Sequence, residues 1–221
     1  MRVLAIGDIH TKLDIIDKAW EVVDFYNAIV FVGDYADDWK ASPQDAIETW
    51  KKLKDFQEAH PSKVKMVIGN HDYIYVNYTK STQSGYSKFT QTLIDMPENR
   101  DLREWLRSLP VTLELDGVTY SHAGLTESYK EGDNLWDDNS PIWARPGDSE
   151  YRNIPQVFGH TPSRTCHRIT ENIWCIDTFS TYPDGENVGD KTVLEVQDGK
   201  LFRKRSLEKL YEQEEKRTKV I

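Results

Sequence analysis

Cysteine is scarce in this chain: two residues, Cys166 and Cys175, among 221. That excludes a disulfide-stapled scaffold, and free thiols in a reducing compartment are expected. Long apolar runs are missing as well, and none approaches the ~20 residues of a membrane span. The first residues, Arg2-Val3-Leu4-Ala5-Ile6, read as a strand and lack the apolar core and cleavage site of a secretion signal. A cytoplasmic protein with no membrane partner is therefore expected, and the glycosylation sequon Asn77-Tyr78-Thr79 reads as chance. Positive charge is also in deficit: 28 Lys and Arg stand against 37 Asp and Glu, a formal net charge of −9. Such a field does not favour wrapping a polyanion, so dedicated nucleic-acid binding is not expected. A small phosphorylated substrate stays compatible, because bound cations reverse the sign locally. There is no internal repeat, low-complexity tract or linker. One domain spanning residues 1–221 is expected; the oligomeric state is not legible.

What is present is a repeated local plan. Arg2–Ile6 is an apolar run that stops at Gly7-Asp8. Residues 12–25 then carry Leu13, Ile16, Ala19, Trp20 and Val23 at helical spacing. Residues 28–32 form a second buried-type strand ending at Gly33-Asp34. Ser42-Pro43 supplies the N-cap and first-turn proline of a helix that presents Ile47, Trp50, Leu53 and Phe56 and closes at His60-Pro61. Residues 64–68 form a third strand, ending at Gly69-Asn70-His71-Asp72. In open α/β sheets ligands bind beyond the carboxyl ends of strands, so these polar strand ends point to one shared site.

The spacing predicts helices over residues 86–96 and 100–109. Hairpins are predicted around Asp116-Gly117 and Asp198-Gly199. Residues 126–155 read as a polar, irregular stretch. Further strands lead into Ser121-His122-Ala123-Gly124, into Gly159-His160-Thr161-Pro162 and up to Asp177. The chain ends in a charged helix from Ser206, expected to present a solvated face. The Trp-containing stretch 136–143 is expected to pack as core.

Four of the six histidines lie in five polar clusters: Gly7-Asp8-Ile9-His10, Gly33-Asp34, Gly69-Asn70-His71-Asp72, Ser121-His122-Ala123-Gly124 and Gly159-His160-Thr161. Any one of them has an ordinary reading, such as a helix cap for Asp8 or Asp34, a turn for Asn70 or a satisfied core imidazole for His122. Five in order, each following a strand, do not. Mixed Asp, His and Asn donors suit Mn, Fe or Zn rather than calcium. Cys166, His167 and Cys175 lack a clear fourth zinc ligand.

The clusters resemble the calcineurin-like metallophosphoesterase pattern. They are closest to its phosphoprotein phosphatase branch in the bacterial and bacteriophage form, and the likeness spans roughly residues 3 to 180. The resemblance implies an α/β fold, a sandwich of two mixed sheets flanked by helices with a di-metal site at the strand ends. It implies that Asp8 and His10 hold a first divalent ion, that Asp34 bridges, and that Asn70, His122 and His160 complete a second; manganese is the expected metal, with iron or zinc as alternatives. His71 would be the general acid and Asp37 the carboxylate that orients it, with a metal-bridging hydroxide attacking phosphorus. Arg145, in Trp143-Ala144-Arg145, would grip substrate phosphate together with Asn70, and Arg164 is a weaker candidate. The implied activity is hydrolysis of a phosphate ester on a small molecule or protein. The alternatives are cleavage of a phosphodiester or dinucleoside polyphosphate, and a metal-binding scaffold of weakened activity. Pro162 stands where many relatives carry a second histidine, which favours the phosphoprotein phosphatase and dinucleoside tetraphosphatase side. Three positions depart from the pattern. Asp38 and Trp39 replace an Arg-Gly pair whose Arg grips substrate, and Thr11 stands where Gly is usual. An acid at position 38 should repel phosphate unless it meets a cation.

Overall fold

The computed structural model describes residues 1–77 and 85–219; Tyr78 and Thr79 of the sequon lie outside them. In chain order the elements are β1 (Arg2–Ile6), α1 (Leu13–Val22), β2 (Ala28–Phe31), α2 (Pro43–Ala59), β3 (Val64–Met66), α3 (Asn70–Val76), α4 (Lys88–Asp95) and α5 (Arg100–Ser108). They continue with β4 (Thr112–Leu115), β5 (Val118–Ser121), β6 (Gln156–Phe158), β7 (His167–Thr170), β8 (Ile173–Cys175), β9 (Thr192–Gln197), β10 (Leu201–Ser206) and α6 (Leu210–Thr218). They build two five-stranded mixed sheets, ordered β10-β9-β1-β2-β3 and β4-β5-β6-β8-β7.

The apolar strands are continuous rather than alternating because both their faces are covered. Side chains along a strand point to opposite faces in turn. Leu4, Ile6, Ile29 and Phe31 therefore meet helix residues such as Ile16, Trp50 and Phe56. Val3, Ala5 and Val30 point the other way and pack on Tyr120, Val157 and Ile176 of the second sheet. This inter-sheet layer makes the sandwich. Ser42 accepts from Asp45 N and the Asp45 carboxylate accepts from Ser42 N, so α2 begins with a reciprocal capping box.

Strand direction positions the site. In the first sheet β1, β2 and β3 run parallel; in the second, β5, β6 and β8 do. Each trio delivers its carboxyl ends together. These six strand ends carry the clusters Asp8 to His10, Gly33-Asp34, Gly69 to Asp72, His122, Gly159-His160 and Asp177.

Several expectations need adjustment. β7 was not anticipated; its His-Arg-Ile-Thr run is half exposed and lies at a sheet edge. The tail is not simply a solvated face. Leu207 and Leu210 are buried, and so is Glu214. Trp136 packs on Tyr73 beside the main core, whereas Trp143 faces a cleft. His60 does end α2, and both cysteines are free and buried. No helix among the described residues is long and apolar enough to cross a membrane.

Glu214 is buried to meet a second acid, Glu195 of β9, through two arginines. Arg2 lies 2.6 Å from each carboxylate and Arg205 lies 2.7 Å from each. The charges balance, which is what allows two buried carboxylates to stay ionised. Burial pushes both acids up, but Arg2 and Arg205 outweigh it and hold them below their ordinary 4.5. A depressed carboxyl contributes stability that is present above the unfolded pKa and lost as pH falls through the folded one. Arg2→Ala should thus destabilise by about 3–5 kcal/mol at neutral pH. In urea denaturation the gap to the wild type should narrow as pH falls below about 4.5. A gap that widened on acidification would contradict this reading.

Candidate active site

The first loop, after β1, is zipped to the second. Ile9 N and His10 N both donate to Asp34 O at 3.1 Å, and Thr11 N donates to Tyr35 O at 2.8 Å. Around the site the backbone turns left-handed at His10 (φ 41°), Thr11 (φ 61°), Asp34 (φ 52°), Asp37 (φ 62°) and His160 (φ 65°). Non-glycine residues in that region are uncommon and strained, and such strain gathers at functional sites. The φ of Thr11 also explains why glycine would suit that position. Gly33, at φ 102°, has a further constraint: a Cβ there would lie 2.7 Å from Gly69 backbone and 2.9 Å from the His122 ring.

Asp72 fastens the third loop. Its carboxylate accepts from Tyr35 N and Ala36 N, from Gly69 N and, at 2.8 Å, from the Trp50 indole. Backbone amides fix the remaining acids: His71 N donates to Asp34 Oδ1 at 2.9 Å and His160 N to Asp8 Oδ2 at 2.8 Å.

The structure brings together all six expected ligands. Ligand atoms of Asp8, His10 and Asp34 lie within 4.8 Å of one another, and so do those of Asp34, His122 and His160. Asp34 belongs to both groups. Asn70 Oδ1 lies 2.7 Å from His122 Nε2. His10 Nδ1 faces the Ala36 and Asp37 carbonyls, and His122 Nδ1 faces the Val32 carbonyl. Carbonyls only accept, so each ring carries its proton on Nδ1 and turns a bare Nε2 inward.

The donor set fits divalent cations. Asp8 Oδ1 and His160 Nε2 are buried without a hydrogen-bond partner. His122 Nε2 faces Asn70 Oδ1 at 2.7 Å, His160 Nδ1 at 3.1 Å and Asp34 Oδ2 at 3.2 Å, so four potential ligand atoms converge on one point. Burial and the carboxylates of Asp177 and Asp34 push Asp8 well up. Burial also pushes His10 and His160 down, which keeps the imidazoles neutral. Crowded buried acids and bare imidazole nitrogens are what a cation pair relieves.

His71 differs from the other histidines. Its Nδ1 lies 3.0 Å from Asp37 Oδ2, and Tyr75 donates to the other Asp37 oxygen at 2.6 Å. Burial would lower His71, but Asp34 and Asp37 outweigh it and push it up to about 9. It is therefore the protonated ring of the group. His71, Asp37, Asn70 and Arg145 line a cleft of about 540 Å3 above the buried ligands. Arg145 is exposed there, while Arg164 is not among the lining residues. Asp38 does meet a cation: Lys12 Nζ lies 2.7 Å away, holding the carboxyl low against its partial burial.

Asp177 was given no role by sequence, although it too follows a strand. It is buried, accepts both the Ser180 hydroxyl and Ser180 N, and lines the cleft. Tyr75 could not have been found, since its partner is 38 residues away.

The Calcineurin-like phosphoesterase family matches residues 1–187, and the chain belongs to it. It thus carries a calcineurin-like metallophosphoesterase domain, of a family that works with a dinuclear divalent site. Among curated proteins it is similar to a symmetrical bis(5'-nucleosyl)-tetraphosphatase of Methylobacillus flagellatus, 28% identical over 182 residues. A second of the same name, from Chromobacterium violaceum, is 24% identical over 172 residues. Each match covers 74% of this chain but only 58% of the relative. Among solved structures it resembles a cold-active protein-tyrosine phosphatase of a Shewanella species, with TM-score 0.63, 18% identity and coverage of 92% and 80%. A protein serine/threonine phosphatase of Saccharomyces cerevisiae gives TM-score 0.59, 12% identity and coverage of 92% and 79%. At these identities the structural likeness speaks for the fold alone.

Asp72→Asn keeps the size of the side chain but turns one acceptor into a donor facing N–H groups. It should lower stability by about 1–3 kcal/mol in denaturant titration. An unchanged midpoint would show that these bonds do not hold the loop.

Proposed function

We propose that the chain, as one domain over residues 1–221, hydrolyses phosphoric esters. In this reading Asp8, His10, Asp34, Asn70, His122 and His160 hold two divalent ions, with manganese favoured and iron or zinc alternatives. The observation that carries the proposal is the division of labour among the histidines. Three of them belong to the buried cluster around Asp34, and the fourth, His71, is backed by a carboxylate at 3.0 Å on the cleft wall. When bound, the ions supply Lewis acidity to phosphoryl oxygens and lower the pKa of water in the site.

His71 donates a proton to the leaving oxygen, and Asp37 keeps the ring turned toward the cleft and favours its charged form. Asn70 and Arg145 bind phosphoryl oxygens, Arg145 through its planar fork. Lys12 neutralises Asp38, so the acid that replaces the usual arginine repels substrate less. The bond broken is a phosphomonoester in the first reading. A second reading, cleavage of a dinucleoside polyphosphate, is favoured by the two relatives named for that activity. Turnover of an aryl phosphate, a diester, a phosphopeptide and a dinucleoside tetraphosphate with added manganese separates the two.

His71→Ala should keep the wild-type metal content by elemental analysis. It should slow alkyl phosphates by about 10²–10⁴-fold while affecting nitrophenyl phosphate far less. Equal slowing of both substrates would reject the general-acid role. Asp34→Asn should lose both bound metal and turnover, and two ions retained by that variant would reject the bridging role.

A further inference from the structure

Trp39 and Tyr182 are large aromatic residues left 52% exposed each, and both line the cleft. Leaving such a ring in water forgoes the stabilisation its burial would give, so a pair of them beside a reactive site is informative. They are also held in place. The Trp39 indole donates to Thr181 O at 3.1 Å. The Thr181 hydroxyl donates to Asp38 Oδ2 at 2.9 Å, and Lys12 Nζ and Lys40 N also donate to that carboxylate. Lys40 donates to Asp184 O, clasping the same two loops one step further out. Tyr182 begins a tight turn in which its amide donates to Glu186 O at 2.9 Å and its carbonyl accepts from Gly185 N at 2.8 Å. Asp38 is thus the pivot of a staple between the loop after β2 and the loop before β9.

We infer that this staple presents Trp39 and Tyr182 as an aromatic rim on which a nucleobase of the substrate stacks. The inference rests on the reading of the cleft as a phosphoester site. Every base has a π-face, and a fixed aromatic ring binds it with little entropy to lose. Depth selects a nucleobase over a phenol. The ligand cluster is buried, with Asp34 only 2% exposed and His160 6%, whereas the rim is half in solvent. In a phenyl phosphate the ring hangs directly on the ester oxygen and stays deep in the cleft. In a nucleotide a ribose separates phosphate from base and carries the base outward. A cleft of about 540 Å3 is of the size that encloses a whole small molecule rather than a lone phosphoryl group. A phosphoserine side chain has no ring to offer.

The test is equilibrium binding to the metal-loaded protein, by calorimetry, of the hydrolysis-resistant phosphonate analogues of adenosine monophosphate, ribose 5-phosphate and O-phosphotyrosine, each called below by the name of its parent phosphate. Wild type should bind adenosine monophosphate on the order of tenfold more tightly than ribose 5-phosphate. Trp39→Ala combined with Tyr182→Ala should erase that difference and leave ribose 5-phosphate binding unchanged. Trp39→Phe, which keeps a stacking face but not the indole hydrogen bond, should retain most of it. Equal affinity of wild type for the first two ligands would overturn the inference. So would equal weakening of both in the double variant, which would mark the rim as a loop staple alone, and so would a ring-dependent gain seen only with O-phosphotyrosine. If the preference for adenosine monophosphate is present but no phosphoric ester is hydrolysed, the rim stands and the catalytic reading fails.

Discussion

Asp34 is the residue on which the rest of the site depends. Its carbonyl takes the two amides that set the β1 loop, and one carboxylate oxygen takes the amide of His71. The other faces His122, and the whole residue is buried with a left-handed backbone. A buried acid surrounded by other acids and bare imidazoles is a poor arrangement for a protein alone. It would become a good one around cations, whose charge would be the largest in the site.

The frame around Asp34 accepts strain to achieve this. Five left-handed non-glycine residues cluster there, and such conformations persist only where surrounding contacts over-determine them. Asp72 is one such contact, since one carboxylate holds amides from two loops and the indole of a helix. The Arg2–Glu214 network lies at the opposite end of β1 from Asp8, where it stabilises the sandwich without entering the chemistry.

Much of this was legible in the sequence, for local reasons. A strand buried on both faces reads as a continuous apolar run, and a glycine followed by Asp or Asn marks its end. Those two rules find Asp8, Asp34 and Asn70 without any knowledge of topology, and the helices follow from their periodicity. What was not legible depended on distant pairing. Asp38 looked like a charge beside phosphate because its partner Lys12 sits 26 residues earlier, on another loop. Glu214 looked like part of a solvated tail. β7 carries too few apolar residues to announce a strand, since its pairing is made on one side only. Asp177 obeyed the strand-end rule but lacked the histidine or glycine neighbour that drew notice elsewhere.

The same division holds for function. The candidate cation ligands each follow a strand, whereas the proposed substrate contacts lie on loops whose bonds run between distant segments. Trp39 and Tyr182 line one cleft, and the bonds of Thr181 to Asp38 and Trp39 hold their loops together. The central claim is that Asp34 joins two cation sites into one. Anomalous scattering from crystals grown with manganese tests it most directly. The account predicts two peaks, one beside Asp8 and His10 and one beside Asn70, His122 and His160, with Asp34 contacting both. A single peak, or two peaks neither of which touches Asp34, would contradict it.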